Sequence, residues 1–235
     1  MLVNSFDTKY SLTAKKYESL DNSFTKTVSS NKKFSRIFTS VIEDKSLKSL
    51  SEATLRSDIT GQVINTILTH DSNSKHFLYY MGDVFRKDKM NNNIKQFRQH
   101  GVEIINLSKN DSFKEALQIL DKFLKKIIKK NYTYVFTDPK IPKNKSLLLD
   151  SISHKNNISK FVNIFKKKID APFELNLEKD FFSQDYHHYI FFYVYSNSTK
   201  KILAQGGGYK YKKNTKKIEG FGFSCNVDYI AELIK

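Results

Sequence analysis

The segments FLYYMGDVF (77–85) and QFRQHGVEII (96–105) decide the fold, together with the stretch KDKMNNNIK (87–95) between them. Both outer segments are rich in aromatic and β-branched residues, which favour extended structure. The stretch between them is polar and carries turn-forming residues. A strand, a polar loop and a second strand in this order predict a long antiparallel β-hairpin.

The second segment has two distinct polar faces, because side chains alternate between the two sides of a strand. Gln99 and Glu103 share one face, whereas Arg98 and His100 share the other. A polar Gln99/Glu103 face among otherwise apolar strands predicts either the lining of a polar pocket or a sheet surface that faces water. The residues themselves leave both interpretations open.

Outside the hairpin, helical and strand-like patterns follow one another along the chain. The spacing of apolar residues predicts helices over 59–68, 112–128 and 227–234, and two short helices over 144–168. Residues 1–31 fit either a marginal amphipathic helix or a disordered arm that docks onto the rest of the chain.

Further strands are indicated by runs of β-branched and aromatic residues, which occupy 36–42, 132–136, 188–195, 201–208 and 217–225. The last three of these strands are joined by short polar turns, as antiparallel strands are. The sequence therefore predicts an α+β fold with one mainly antiparallel sheet and flanking helices.

Glycine is concentrated near the end of the chain. Five of the eight glycines lie in AQGGGYKY (204–211) and EGFGFS (219–224). Glycine within a strand indicates a close approach of a ligand or a packed neighbour, or a bulge. These segments do not form a phosphate-binding loop, because no glycine-rich turn followed by Lys-Ser/Thr opens a helix there.

The composition excludes several classes of protein. With 235 residues, of which 39% are hydrophobic, the chain can build a core and suits one domain with at most a small appendage. The single cysteine, Cys225, excludes an intramolecular disulfide and a multi-cysteine metal site. No apolar run of about 18 residues occurs, and the N-terminus lacks the apolar segment of a secretory signal. We therefore expect a soluble, cytoplasmic protein.

The formal net charge of +16 allows two interpretations. Lysines that neutralise phosphates release counterions, so a polyanion-binding face is one of them. However, only four of the forty basic residues are arginines, and such lysine-heavy usage also fits a solvated surface shaped by codon bias. The densest positive cluster, KYKKNTKK (210–217), is predicted to be a loop between the last two strands.

Two further segments carry candidate functional side chains. In LRSDIT (55–60), the carboxylate of Asp58 can cap the following helix or accept a hydrogen bond from an ammonium group of a ligand. In DYHHYIFFYVY (185–195), the adjacent His187 and His188 face opposite sides of a strand and cannot jointly bind a metal. Tyr186 and His188 share a face, and no metal site is expected.

The order of these segments resembles the class II aminoacyl-tRNA synthetase core, in particular the histidyl-tRNA synthetase branch. LRSDIT resembles the Leu-Arg-Pro-acid-x-Thr segment of that branch, and the 79–103 strand–loop–strand resembles its motif 2. The 185–195 segment is similar to the histidine-pocket strand, and GFGFSCNVDYI (220–230) is similar to motif 3. The resemblance spans residues 52–235.

Within that branch the chain is more similar to the regulatory subunits of ATP phosphoribosyltransferase, which are synthetase paralogues. Asp58 stands where synthetases carry Glu, and no counterpart of the motif 1 proline is found. Gly208 and Lys210 replace Arg and Asp of a Gly-Gly-Arg-Tyr-Asp pattern. Asn226 and Asp228 lie where motif 3 of a synthetase has an ATP-binding arginine. Because arginines on the triphosphate stabilise adenylate formation, aminoacylation is not expected.

The resemblance implies a non-catalytic regulatory subunit that the short-form ATP phosphoribosyltransferase requires for activity and histidine feedback in the first step of histidine biosynthesis. The implied partner is the catalytic subunit, with a dimer of this chain inside a hetero-oligomer. Residues 1–50 would be an N-terminal arm or partial motif 1 region, and residues 51–235 the core, without an anticodon-binding domain. No cofactor, metal, membrane or nucleic-acid partner is expected. The alternatives are a degenerate amino-acid-activating enzyme and a tRNA-binding relic.

The resemblance also implies a histidine pocket. Asp58 and Glu103 would bind the α-ammonium group, Arg86 the carboxylate, and Tyr186 with His188 would close the imidazole side. The positions that match the pocket of the family are Asp58, Thr60, Arg86, Gln99, Glu103, Tyr186 and His188.

Overall fold

A computed structural model describes residues 8–43, 54–87, 94–141, 148–177 and 187–234. The helices of these residues are α1 (Thr8–Ser29), α2 (Thr60–His70), α3 (Lys109–Ile128), α4 (Leu148–Lys166) and α5 (Val227–Ala231). The strands are β1 (Ser35–Arg36), β2 (Ile42–Glu43), β3 (Thr54–Leu55), β4 (His76–Lys87), β5 (Ile94–Ile105), β6 (Tyr132–Thr137), β7 (Phe173–Asn176), β8 (His187–Ser196), β9 (Ile202–Lys213) and β10 (Lys216–Asn226).

Eight of the described strands form one sheet in the order β1-β4-β5-β10-β9-β8-β6-β7, and β2 pairs with β3 separately. The β1–β4 and β6–β7 pairs are parallel, and every other pair in the large sheet is antiparallel. The predicted α+β fold with a mainly antiparallel sheet is therefore confirmed.

The predicted hairpin is β4 and β5, which pair from His76 opposite Ile105 to Lys87 opposite Ile94. β10 continues the sheet on the other side of β5, so β5 lies between two antiparallel neighbours. This position fixes its two faces: Val102 and Ile104 are buried in the larger core, and Ile105 is buried in a smaller core across the sheet.

The larger core lies between the sheet and the helices α1, α3, α4 and α5. On α3, the fully buried Phe113, Leu117, Leu120 and Leu124 recur at helical spacing, as the sequence predicts. Each such side chain contributes about 1.5–3 kcal/mol through its burial. No described helix is both long and apolar enough to span a membrane.

The first helix is part of this core. Leu20, Phe24 and Val28 of α1 are fully buried, so the helical alternative for residues 1–31 is the observed one over Thr8–Ser29. The Phe24 ring stacks on His100 with 4.8 Å between centroids and meets Phe123 edge-on at 5.2 Å. The predicted domain boundary at residues 50–51 lies outside the described residues.

The opposite face of the sheet is covered by α2 over only part of its area. Val63, Ile64 and Leu68 of α2 pack with Tyr80 and other residues of the sheet in the smaller core. Asp58 lies one residue before Ile59, which is the N-cap of α2 in place of the predicted Asp58, but its Oδ2 still accepts a hydrogen bond from the Gly61 backbone N–H at 3.2 Å. The uncovered area of this face holds the site described below.

Three predicted elements are wrong in detail. Residues 148–166 form one helix rather than two, and the polar run Lys155–Asn157 is exposed within it. The 36–42 strand is reduced to β1 and the start of β2, and Phe38 between them is 77% exposed. The 210–217 loop is mostly the ends of β9 and β10, which pair as far as Lys213 and Lys216 around a two-residue turn.

The position of α1 in the core yields a prediction. Phe24→Ala removes a fully buried ring and is expected to lower the free energy of unfolding of the whole domain by about 3–5 kcal/mol. Urea denaturation followed by circular dichroism measures this change. The control is Phe38→Ala at the exposed position, for which a change within about 0.5 kcal/mol is expected. An unchanged unfolding midpoint in Phe24→Ala would mean that α1 folds apart from the core.

Candidate functional site

Two adjoining cavities open on the sheet face that α2 leaves uncovered. The first has a volume of about 400 Å³, and the second of about 500 Å³. Arg86, Gln205 and Ser224 line both cavities, so the two form one continuous cleft across β5, β9 and β10. Of the sequence-predicted residues, the first cavity brings together Asp58, Thr60, Arg86 and Glu103.

Glu103 is the central polar group of the first cavity. Its carboxyl group is buried, and it accepts hydrogen bonds from Thr60 Oγ1 to Oε1 at 2.7 Å and from Tyr209 Oη to Oε2 at 2.9 Å. No lysine or arginine of the described residues forms an ion pair with it. The pKa of Glu103 is raised to about 8: burial is the largest cause, the two hydrogen bonds oppose the rise, and the nearby Asp58 adds to it.

A buried carboxyl group with a raised pKa and no cation beside it is suited to a positively charged ligand group. A bound ammonium group would favour the ionised form of Glu103 and supply the missing counter-charge. The side chain is protonated at neutral pH, so binding of such a cation is accompanied by release of its proton. The arrangement thus favours an ammonium ligand over an anion at this end of the cleft.

Glycines on the neighbouring strands make room for this carboxyl group. Gly222 lies opposite Glu103 in the β5–β10 register, and a Cβ atom on Gly222 would lie 2.0 Å from Glu103 Oε2. A Cβ atom on Gly220 would lie 2.5 Å from the Tyr209 ring, whose hydroxyl donates to Glu103. The predicted close approach at the glycine-rich strands is confirmed, and its partners include the side chains that build the site.

Arg86 stands at the junction of the two cavities. Its Nε donates to the Ser57 carbonyl oxygen at 3.1 Å, which fixes the guanidinium group against the loop that precedes α2. Asp58 lies in the same loop and lines the first cavity while it bonds to the first turn of α2. This position is compatible with both roles that the sequence leaves open for Asp58, bonding to the helix start and accepting a hydrogen bond from an ammonium group of a ligand.

Arg56, the arginine of the LRSDIT segment, stabilises the fold rather than lining the cleft. Arg56 is only 4% exposed, and its Nη1 donates to the carbonyl oxygen and the hydroxyl group of Thr39, both at 2.9 Å. Its Nε donates to the carbonyl oxygen of Asp83 on β4. The guanidinium group therefore joins the loop after β1 to the hairpin and does not line the cleft.

The structure separates the remaining sequence-predicted residues. Gln99 lines the second cavity rather than the first. His187, not His188, lines the first cavity, whereas His188 lies close to Lys140 and Lys210, which help burial to lower its pKa. Tyr186 lies outside the described residues. Alternation on a strand predicts that the two histidines diverge, and the pairing of His187 with Tyr209, whose hydroxyl group donates to Glu103, places His187 on the side of the cavity.

Sequence reasoning did not identify several lining residues. Tyr209 follows the glycine run directly, and Gln205 and Ser224 are register partners on β9 and β10. The glycine clusters mark this pair of strands as the floor of a site, and that signal would have pointed to their polar neighbours. In the second cavity the missed residues are Phe97, Lys201, Ile202, Ala204, Asn226 and Tyr229.

The opposite face of β5 carries a network that anchors α1 and α5. Arg98 forms a two-point ion pair with Asp21 of α1, and His100 Nε2 donates to Asp21 Oδ1 at 2.7 Å. Although burial opposes it, these hydrogen bonds lower the pKa of Asp21 to about 2. Burial lowers the pKa of His100, so the ring is a neutral donor. Asp228 of α5 accepts from the Arg98 backbone N–H at 3.0 Å.

The described residues contain no group of three or more His, Cys, Asp or Glu side chains arranged to hold a metal ion. The cleft presents carboxyl groups, an arginine and hydroxyl groups. Together they suit a small zwitterion, with an ammonium group toward Glu103 and Asp58 and a carboxylate toward Arg86.

The raised pKa of Glu103 has a measurable effect on stability. The folded state retains this proton up to about pH 8, whereas the unfolded state loses it near the ordinary value of 4.5. The folded state therefore binds more protons in this window, and its free energy of unfolding falls as the pH rises through it. Glu103→Gln is expected to remove this pH-dependent part of the free energy of unfolding. Its size is on the order of a few kcal/mol, because a pKa difference of one between the folded and unfolded states is worth about 1.4 kcal/mol.

Urea denaturation of both proteins at pH 5 and pH 8 measures the difference, because titration of the other groups cancels between them. The wild-type protein should lose more stability than Glu103→Gln between the two values. An equal loss in both proteins would contradict the raised pKa.

The family model of histidyl-tRNA synthetase matches residues 17–168, which is more than half of the chain. A search of curated proteins by sequence gives no match.

Solved structures with similar folds include three of particular relevance. An ATP phosphoribosyltransferase regulatory subunit/histidyl-tRNA synthetase from Bacillus halodurans C has a TM-score of 0.75 at 14% identity, over 100% of this chain and 82% of that one. Apo histidyl-tRNA synthetase of S. aureus has a TM-score of 0.68 at 17% identity, over 94% of this chain and 66% of that one. A chain of the ATP phosphoribosyl transferase (HisG:HisZ) complex from Thermotoga maritima has a TM-score of 0.63 at 17% identity, over 92% of this chain and 97% of that one. The predicted class II synthetase-like fold is confirmed.

Proposed function

The chain belongs to the histidyl-tRNA synthetase family, and from this premise we propose that it is a non-catalytic regulatory subunit of the short-form ATP phosphoribosyltransferase. It would be required for the activity of the catalytic subunit and for its response to histidine in the first step of histidine biosynthesis. The likeness to a regulatory subunit and to a HisG:HisZ complex supports this proposal.

The observation that carries the proposal is the sparse positive charge of the second cavity. Adenylate formation needs several cations on the triphosphate, and arginine forks are the effective ones. Arg86 is the only arginine among the described residues that line this cavity, and the one lysine, Lys201, is paired with Glu232 and lies over the Tyr229 ring. The start of α5 adds no cation, since Asn226 caps the helix and Asp228 bonds to Arg98.

The first cavity retains the groups that recognise an amino acid. We assign the ammonium group of histidine to Glu103 and Asp58 and its carboxylate to Arg86, with the imidazole ring near His187. Histidine would then act as a regulatory signal in this cavity, while the catalytic subunit performs the chemistry.

An apolar surface supports the inferred dimer of this chain within a hetero-oligomer. Phe38 is 77% exposed, and Val41, Ile42 and Leu55 are exposed beside it around the β2–β3 pair. Contiguous exposed apolar residues are typical of protein interaction sites. We infer that this surface pairs with a second copy, and that the complex is cytoplasmic.

The second candidate is a degenerate enzyme that still activates an amino acid. The observation in its favour is the retained set of Glu103, Thr60 and Arg86 in the first cavity. An ATP–pyrophosphate exchange assay with histidine distinguishes the two. Histidine-dependent exchange would support the enzyme and contradict the regulatory subunit.

The proposal predicts a complex with the short-form catalytic subunit of the same organism. Mixed proteins should co-elute on size exclusion, form phosphoribosyl-ATP faster than the catalytic subunit alone, and be inhibited by histidine. Absence of both co-elution and activation would remove the proposal.

The control variant is Glu103→Gln, which alters the pocket and no exposed surface. We expect it to form the complex and to bind histidine about tenfold to a hundredfold more weakly, as loss of a hydrogen bond to a charged group costs about 1.5–3 kcal/mol. Isothermal titration calorimetry measures this affinity. Unchanged affinity would show that histidine, if it binds, does not use this pocket.

A further inference from the structure

The tip of the β9–β10 hairpin places like charges opposite each other. Lys212 pairs with Lys217 across the two strands, and Lys213 pairs with Lys216. Directly opposed like charges destabilise a β-hairpin. Asn65 and Thr69 of α2 accept hydrogen bonds from Lys213 and Lys216 and compensate this second pair.

The Lys212/Lys217 pair lies on the other face of the hairpin and lacks such compensation. Among the described residues, the side chain of neither lysine forms an ion pair or a hydrogen bond. Lys210 shares their face, and the one carboxylate there, Glu219, already lies 3.5 Å from Lys210 Nζ and 3.4 Å from Lys109 Nζ. Positive charge is therefore in excess on this face.

Two more lysines extend this face beyond the hairpin. Lys109 is the first residue of α3, where the positive end of the helix dipole disfavours a cation. Lys140 lies near His188, together with Lys109 and Lys210, and these three charges help burial to lower the His188 pKa. We name this surface the basic face; its lysines are Lys109, Lys140, Lys210, Lys212 and Lys217.

Several other lysines of the chain have a structural explanation that Lys212 and Lys217 lack. Lys125 and Lys126 lie in the last turn of α3, and Lys166 lies in the last turn of α4, where cations are favoured by the helix dipole. Lys125 is also paired with Asp121, and Lys130 with Asp170. Codon bias places lysines throughout the chain, but it does not account for an arrangement that opposes both cross-strand pairing and the helix dipole.

We propose that the basic face docks a carboxylate-rich surface of a partner protein, and that this partner is the catalytic subunit of the proposed complex. Charges that destabilise the free fold are neutralised when an acidic surface covers them. Naming the catalytic subunit rests on the proposed function, whereas the choice of an acidic partner rests on the charges alone.

The surroundings of the lysines favour carboxylates over a nucleic acid. Glu219 shows that a carboxylate fits between two lysines of this face. Phe38 and Tyr211 are the exposed aromatic residues of the described chain, and Tyr211 is the cross-strand partner of Ile218, which is buried on the α2 side. The basic face thus lacks an exposed ring for base stacking, as well as an arginine fork for phosphates.

A pair of matched variants tests the proposal. Lys212→Gln/Lys217→Gln and Lys213→Gln/Lys216→Gln each remove two charges from the same hairpin, on opposite faces. Stopped-flow association with the catalytic subunit at low salt should slow about tenfold in the first variant and less in the second, because electrostatic steering depends on the docking face. Urea denaturation should give the first variant an unfolding midpoint at or above that of the wild-type protein.

The outcomes separate this proposal from the proposed function. If the complex forms and both variants associate at the same rate, the basic face is not a docking surface, while the regulatory role stands. If the wild-type protein forms no complex, the proposed function fails, and titration with poly-glutamate tests the face alone. Selective loss of poly-glutamate binding in the first variant supports an acidic partner, and tighter binding of an RNA duplex overturns it.

Discussion

The antiparallel register of β5 between β4 and β10 is the constraint on which the rest of the structure depends. It directs Glu103 into the cleft and places Gly222 opposite it, where any larger residue would occupy the space of the carboxyl group. The same register directs Arg98 and His100 to the other face, where Asp21 holds them to α1. A shift of one residue would exchange these faces and bury the ion pair in the cleft.

The free-energy cost of burying a carboxyl group is offset differently on the two faces of β5. On the helical face, Asp21 is ionised because Arg98 supplies a counter-charge and His100 a hydrogen bond. In the cleft, Glu103 has hydroxyl donors and no ion pair with a described residue, so its pKa rises and the proton neutralises it. The first arrangement stabilises the fold by itself, whereas the second is completed by a cation from outside. This difference marks the cleft, rather than the network behind it, as the site for a ligand.

Features of this structure that depend on neighbouring residues in the chain are predicted from the sequence, whereas features that depend on contacts between distant residues are not. The β4–β5 hairpin and α3 are predicted because their patterns are local and their periods are clear. The choice of His187 over His188 depends on which of them pairs with Tyr209 of β9, and the contact of Tyr209 with Glu103 joins residues 106 positions apart. The charged ends of β9 and β10 resemble a loop in composition, because a hairpin that projects beyond the core needs no apolar face.

The two ends of the cleft carry different sets of charges. The first cavity holds Glu103, Asp58 and Arg86, which suit an amino acid, whereas Arg86 and the paired Lys201 are the cations that described residues bring to the second cavity. A response of a partner to histidine then requires only a coupling free energy between the pocket and the docking surface, typically about 1–3 kcal/mol. Tyr209 donates to Glu103, and the next residue, Lys210, belongs to the basic face. The pocket and the basic face therefore share β9, on which these two residues are adjacent.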